Sequence, residues 1–240
     1  MIERRYLRNI GTLTEEETIL LAGKRVCVIG CGGLGGFVIE NLGRIGVGYI
    51  TAVDSDSFDE TNLNRQLLFT MWDLGKPKAS TASIRLRALN PNLKATVYDR
   101  FLDKELAADI IPSYDVIVDC LDNFDTRFII NDTCVALRKP FIHAGIGEFY
   151  GQLMTVIPGA GPCLRCLFPG GVKEKEPKKP FGVDGPTPGV LGTLQALEAM
   201  KLLLDLPVSN EGLIIYDGLS LNLEKVAIAP ATGCECRKIV

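Results

Sequence analysis

The run Gly30-Cys31-Gly32-Gly33-Leu34-Gly35 constrains this chain more than any other stretch. It follows a short apolar, strand-like segment, residues 25–30, and continues into a helix over residues 34–46. A glycine-rich turn between strand and helix lets the backbone come close to phosphate groups, and the helix N-terminus attracts their negative charge. Asp54 lies nineteen residues after Gly35 and ends the next strand-like segment, where an acid bonds ribose hydroxyls. These features specify a nucleotide-binding sheet, and on them alone NAD is the default ligand.

Strand-like segments at residues 49–54, 94–99, 115–119 and 140–144 alternate with helix-like ones at 78–90 and 123–138. Such alternation predicts a parallel sheet covered on both faces. Thr14-Glu15-Glu16-Glu17 has the form of a capping box, so a helix precedes the sheet. After residue 148 the rhythm changes. Residues 152–157, 212–216 and 221–228 read as antiparallel strands, and 191–204 as a helix with Leu194, Leu197 and Leu204 on one face and Leu191 close by. Residues 168–187 are rich in Gly, Pro and Lys without apolar period, which predicts a functional lid or mobile crossing segment. The expected fold is α/β and Rossmann-like: a mostly parallel sheet with an antiparallel extension, helices on both faces, in a single domain over residues 1–240.

With 47% hydrophobic residues and a net charge of −3, the composition is that of an ordinary globular protein. It gives no sign of binding nucleic acid or an anionic membrane surface. Met1-Ile2-Glu3-Arg4-Arg5 lacks the apolar core of a signal peptide, and no apolar run reaches membrane-spanning length, so a cytoplasmic location is expected. In that reducing compartment the eight cysteines are expected to be metal ligands, redox groups or small core residues rather than disulfides.

Further polar motifs favour ATP over NAD. Arg65, within Asn62-Leu63-Asn64-Arg65-Gln66, and Lys78, within Lys76-Pro77-Lys78, lie on segments leaving the C-terminal edge of the sheet, where ligands of open α/β folds collect. Taken singly, either is more readily a solvated surface charge. Asp119 and Asp122 bracket the end of the fourth strand, and a carboxylate there can hold magnesium. Asp122 followed by Asn123 serves equally as a helix N-cap.

Together these motifs resemble the ThiF/MoeB/HesA family, the bacterial relatives of ubiquitin-activating enzymes. The resemblance runs from about Tyr6 to Cys236 through GCGGLGG (30–36), NLNRQ (62–66), GKPK (75–78), DCLDN (119–123), GPCLRC (161–166) and GTLQALEAMK (192–201). It implies ATP- and magnesium-dependent adenylation of the C-terminal glycine of a ubiquitin-like sulfur carrier ending in Gly-Gly. By resemblance Asp54 holds the ribose, Arg65 and Lys78 contact phosphates, Asp122 serves magnesium, and the glycine loop with Asn62, Gln66 and Asn123 completes the nucleotide site. The family is typically homodimeric, and Arg8 matches an arginine that reaches into the partner's site. The chain then divides into an N-terminal helical arm (1–24), a nucleotide-binding half (25–148) and a carrier-binding half (149–240) containing the crossing loop and a zinc site.

The chemistry agrees with the charges. A glycine carboxylate attacks the α-phosphorus and pyrophosphate leaves, so positioning and electrostatic stabilisation must supply the rate. Cys163-x-x-Cys166 and Cys234-x-Cys236 suit a closed, structural zinc site, with free thiols or a disulfide as the alternative. The family commonly carries two C-x-x-C pairs, and the shortened second pair here strains the usual chelate spacing. Some members carry a crossing-loop cysteine that bonds the carrier covalently. Residues 167–233 contain none, and Thr187, Ser209 and Ser220 show no partnered base, so the reaction is expected to stop at the acyl-adenylate and a separate sulfurtransferase to deliver sulfur. His143 reads as a satisfied core residue, and Lys173, Lys175, Lys178 and Lys179 with Glu174 and Glu176 as a solvated loop able to steer an acidic carrier. The rival readings are adenylation of a small-molecule or RNA-borne carboxylate, a non-catalytic binding scaffold, and an NAD-dependent oxidoreductase.

Overall fold

A computed structural model describes residues 2–172 and 182–237. The middle of the expected crossing segment, with its lysines and glutamates at 173–179, lies outside the described residues. Eight strands among them form one sheet in the order β3-β2-β1-β4-β5-β6-β7-β8. The strands β1 (Arg25–Ile29), β2 (Tyr49–Val53), β3 (Lys94–Tyr98), β4 (Val116–Asp119) and β5 (Phe141–Gly147) are parallel. The strands β6 (Tyr150–Val156), β7 (Gly212–Asp217) and β8 (Asn222–Ala227) extend the sheet antiparallel, as the change of rhythm after residue 148 predicts.

Alternation along each strand sorts side chains between two apolar layers. On one face Val26 and Val28 of β1 and Val116 and Val118 of β4 meet the helices α1 (Glu15–Leu21), α2 (Gly33–Ile45) and α3 (Lys78–Leu89). On the other, Cys27, Ile29 and Ile117 meet α4 (Lys104–Ile110), α5 (Phe124–Leu137) and α6 (Leu164–Leu167). The last helix, α7 (Pro186–Leu203), returns to the first face. The capping box of α1 forms as expected: Glu17 N donates to Thr14 Oγ1 at 3.1 Å and Thr14 N to Glu17 Oε2 at 2.7 Å.

Three helices differ from expectation. No extended apolar period marks α4 or the single turn of α6; the N-terminus of α4 is capped by Asp103, accepting from Leu106 N at 2.8 Å. The start of α7 lies before the leucine period because Asp184 accepts from Thr187 N at 2.6 Å and from Thr187 Oγ1 at 3.0 Å. Its buried stripe runs through Leu191, Gln195, Ala196, Ala199 and Leu203, while Leu197, expected on the apolar face, is 45% exposed.

Strand order reverses beside β1: the chain first adds β2 and β3 on one flank, then β4 and β5 on the other. The last pair joining β1 to β4 is Ile29↔Asp119, after which β1 enters the glycine loop and β4 the 120–123 loop. Open α/β sheets bind ligands above such a reversal.

Candidate active site

A cleft of about 1140 Å³ opens at that reversal. Its lining includes Gly30, Gly32, Gly33, Asp54, Asn62, Arg65, Gln66, Lys78, Asp122 and Asn123. Segments far apart in the chain therefore converge on one space, as the motif reading predicts.

The glycine loop is shaped by contacts that no other residue permits. Gly30 has φ +93°, and a Cβ there would lie 2.6 Å from the Cys120 carbonyl oxygen. Gly35 does not line the cleft; a Cβ on it would fall 1.9 Å from Gly30 O, so it lets α2 close onto the loop rather than meeting a ligand. The free first-turn amides of α2 make its N-terminus an anion site.

The polar side chains are held in place before any ligand arrives. Asp54 accepts from Cys31 N at 2.7 Å and Asp56 N at 2.8 Å, and burial holds its pKa above the ordinary carboxylate value despite these bonds. Lys78, the first residue of α3, is 7% exposed, and its Nζ donates to Asp56 Oδ2 at 3.0 Å. Half-buried Arg65 donates through Nη1 to Thr61 O at 3.0 Å and Asn64 Oδ1 at 2.7 Å. Asn62 is fixed by accepting from Asp59 N at 3.2 Å. Gln66 is buried in the lining, and its Oε1 has no hydrogen-bond partner among the described residues. An orphaned acceptor in a polar cleft is the kind of group a ligand satisfies.

The two aspartates bracketing the end of β4 have separate surroundings. Asp122 is exposed at the cleft, whereas Asn123 is the N-cap of α5, accepting from Thr126 N at 2.9 Å. Asp119 is fully buried, with Oδ1 accepting from Leu121 N at 3.1 Å and Oδ2 lying 2.7 Å from His143 Nδ1. His143 Nε2 lies 3.3 Å from Gln152 Nε2, and burial first, then the Arg127 charge, keeps its pKa below the ordinary value despite Asp119. His143 is thus the satisfied core residue expected. Arg127, Gln152 and Gln195 are missing from the sequence reading. Arg127 and Gln152 line the cleft, and Gln195 donates to Asp119 O at 2.8 Å.

Arg8 is exposed and does not line the cleft of its own chain. Thr187 and Ser220 do meet carboxylates, Asp184 and Asp217, but in local helix-cap and turn bonds. Cys27, Cys31, Cys120 and Cys134 are buried, as expected of small core residues.

The remaining cysteines come together. The sulfurs of Cys163, Cys166, Cys234 and Cys236 all lie within 4.8 Å of one another. Four of the separations are 3.9 Å (163–166), 3.6 Å (163–234), 3.5 Å (166–236) and 3.4 Å (234–236). A tetrahedron with metal–sulfur bonds of about 2.3 Å has edges of roughly 3.8 Å, so four thiolates here can hold a metal ion. The shortened pair reaches because Cys236 sits in a 3-10 turn, Glu235–Arg237, which brings its sulfur back toward Cys234. Ala231 N donates to Cys166 Sγ at 3.3 Å, an outer bond typical of metal-bound sulfur.

Among proteins of known sequence, the chain is 40% identical over 215 residues to the Sulfur carrier protein ThiS adenylyltransferase of Escherichia coli, covering 89% of this chain and 86% of that protein. It is 39% identical to the SAMP-activating enzyme E1 of Haloferax volcanii, covering 89% and 80%. With mouse Adenylyltransferase and sulfurtransferase MOCS3 it shares 37% identity over 87% of this chain but only 46% of that protein. A solved structure of Escherichia coli MccB superposes with a TM-score of 0.88 at 23% identity, over 99% of this chain and 75% of that one, a likeness of fold. The ThiF family matches residues 6–237, and the chain belongs to it.

Proposed function

We propose that this protein is an ATP-dependent adenylyltransferase that activates the C-terminal glycine of a ubiquitin-like sulfur carrier. The observation that carries this reading is the convergence of the glycine loop, Lys78, Arg65 and Asp122 on one cleft. Its relatives named for sulfur carriers, at about 40% identity across most of both chains, support the choice of substrate.

ATP lies with its phosphates against the α2 N-terminus and its ribose on Asp54. Lys78 has an ammonium with three donors, one of them on Asp56 with Asp54 and Asp59 nearby, so a donor is free to turn to a phosphate. Arg65 and Lys78 offset phosphate charge as the carrier carboxylate approaches the α-phosphorus, and preorganised cations of this kind supply most of such a rate. Asp122, Asn62, Gln66 and Asn123 complete the nucleotide site. A single exposed carboxylate beside phosphate oxygens suits magnesium, which keeps most of its waters, and Asp122 would hold it there. When bound, magnesium stabilises charge on the departing pyrophosphate.

The four-cysteine cluster would hold structural zinc, fastening the C-terminal tail to α6. We assign residues 25–148 to nucleotide binding, 149–240 to carrier binding, and 1–24 to an arm that carries Arg8 into the partner subunit of a homodimer. The exposure of Arg8 outside its own cleft supports this. With no cysteine at 167–233, the product is released as acyl-adenylate in the cytoplasm and a separate sulfurtransferase consumes it. No helix among the described residues is long and apolar enough to cross a membrane.

The test is mass spectrometry of a carrier ending in Gly-Gly after incubation with protein, magnesium and ATP. A carrier heavier by one AMP supports the proposal. Unmodified carriers throughout, with AMP appearing instead on a small carboxylic acid or on RNA, would replace it.

A further inference from the structure

The cleft exists because β4 stops. Its register with β5 runs Ile117↔Phe141, Val118↔Ile142, Asp119↔His143 and then ends, while β5 continues to Gly147. Beyond that point the flank of β5 facing β4 has lost its parallel neighbour. Arg127 occupies the gap. It donates through Nη2 to Ala144 O on β5 at 3.0 Å, and through the same nitrogen to Leu121 O in the loop that follows β4. Its Nε lies 3.6 Å from Asp119 Oδ2, the carboxylate that also meets His143. One guanidinium thus ties together the end of β4, the edge of β5 and the residue immediately before Asp122.

The placement is unfavourable for a residue that only fills space. Arg127 is 5% exposed and is the fourth residue of α5, near the positive end of that helix. A cation is disfavoured there by the helix dipole and by loss of water. Helical side chains lean toward the N-terminus, which is why this position can reach back to the loop carrying Asp122. Nε has no hydrogen-bond partner among the described residues, so the guanidinium is only partly satisfied where it lines the cleft.

We propose that Arg127 is a positioning residue for the metal: it fixes the 120–123 loop so that the Asp122 carboxylate faces the magnesium that accompanies ATP. This rests on the assignment of Asp122 to magnesium made above. Outer groups that orient a metal ligand are worth about tenfold to a hundredfold in metal affinity. The effect should therefore fall on the metal, not on the nucleotide.

The test uses the full chain with Arg127→Lys, Arg127→Gln and the double variant Arg127→Gln/Asp119→Asn, which leaves no unpaired charge in the core. Manganese binding to the protein–ATP complex is followed by electron paramagnetic resonance, ATP binding in EDTA by calorimetry, and folding by the melting midpoint. Half-saturating magnesium is measured in carrier-dependent pyrophosphate exchange. The expected result is metal affinity weakened about tenfold or more in each folded variant, with metal-free ATP affinity within about twofold of the parent. Arg127→Lys keeps the charge but not the fork, and is expected to recover only part of the loss. Unchanged metal affinity overturns the proposal, as does metal affinity that falls only in step with the melting midpoint or with ATP affinity. If the parent shows no exchange with any carrier, the adenylation reading fails, and the manganese measurement still decides the role of Arg127.

Discussion

Lys78 is 7% exposed, yet Asp56, its ion-pair partner among the described residues, is largely in solvent. That asymmetry makes the ammonium easy to redirect: exchanging an exposed carboxylate for a phosphate leaves nothing buried and unpaired. Arg65 and Asp122 lie outside the core, so an effect of replacing either on activity is separable from an effect on folding. Arg65→Ala and Asp122→Ala are each expected to lower adenylation by about 100-fold or more. Their melting midpoints should stay within a few degrees of the parent, and normal turnover in either would remove that residue from the mechanism. His143 allows a prediction with a definite sign. Its folded pKa lies below the ordinary 6.5, so its contribution to stability is complete above that value and is lost as pH falls from there toward the folded pKa. Unfolding free energies from pH 5 to 8 should decline more steeply on acidification in the parent than in His143→Gln. Identical slopes would show that His143 is not held neutral in the fold.

At the scale of elements, the cysteine cluster joins a tail of little regular structure to the rest of the molecule. Cys163 and Cys236 are buried, and the 3-10 turn at Glu235–Arg237 packs by α5. Removing the metal, or replacing Cys234 with Ser, should lower the melting midpoint and expose residues beyond about 228 to proteolysis first. One zinc per chain by elemental analysis is the expected content, and a metal-free protein with unchanged melting would contradict it. What the sequence disclosed of these elements follows from range. The strands β1 to β5 and the helices α2, α3 and α5 carry their own periodicity, and the glycine loop and capping box are local chemistry. The short helix α4 depends on one aspartate cap, and the start of α7 on Asp184 rather than on leucine spacing. The Asp119–His143–Gln152 chain and Arg127 were hidden for another reason. They meet only through the register of β4, β5 and β6, which no local pattern of residues encodes. At Gly35 the sequence does not separate a ligand contact from close packing onto Gly30, because both call for glycine.

At the scale of the molecule, the sheet opens a cleft at the β1–β4 reversal and continues into the antiparallel strands beside it. The cleft lining passes from the glycine loop to Gly145, Gly147, Tyr150 and Gln152, so one continuous space joins the two regions. Arg8 tests whether the working unit is larger than one chain. Arg8→Ala and Asp122→Ala proteins should each be inactive alone. Mixed and re-formed as dimers, they should regain roughly a quarter of parental activity, because one site in each mixed dimer is intact. No recovery would place Arg8 in its own chain's chemistry or outside it altogether. The central claim is tested most directly by ATP–pyrophosphate exchange with magnesium, run with and without carriers ending in Gly-Gly. Exchange that requires a carrier and vanishes when its terminal glycine is removed is the predicted result. Tight ATP binding with no exchange under any carrier would contradict it.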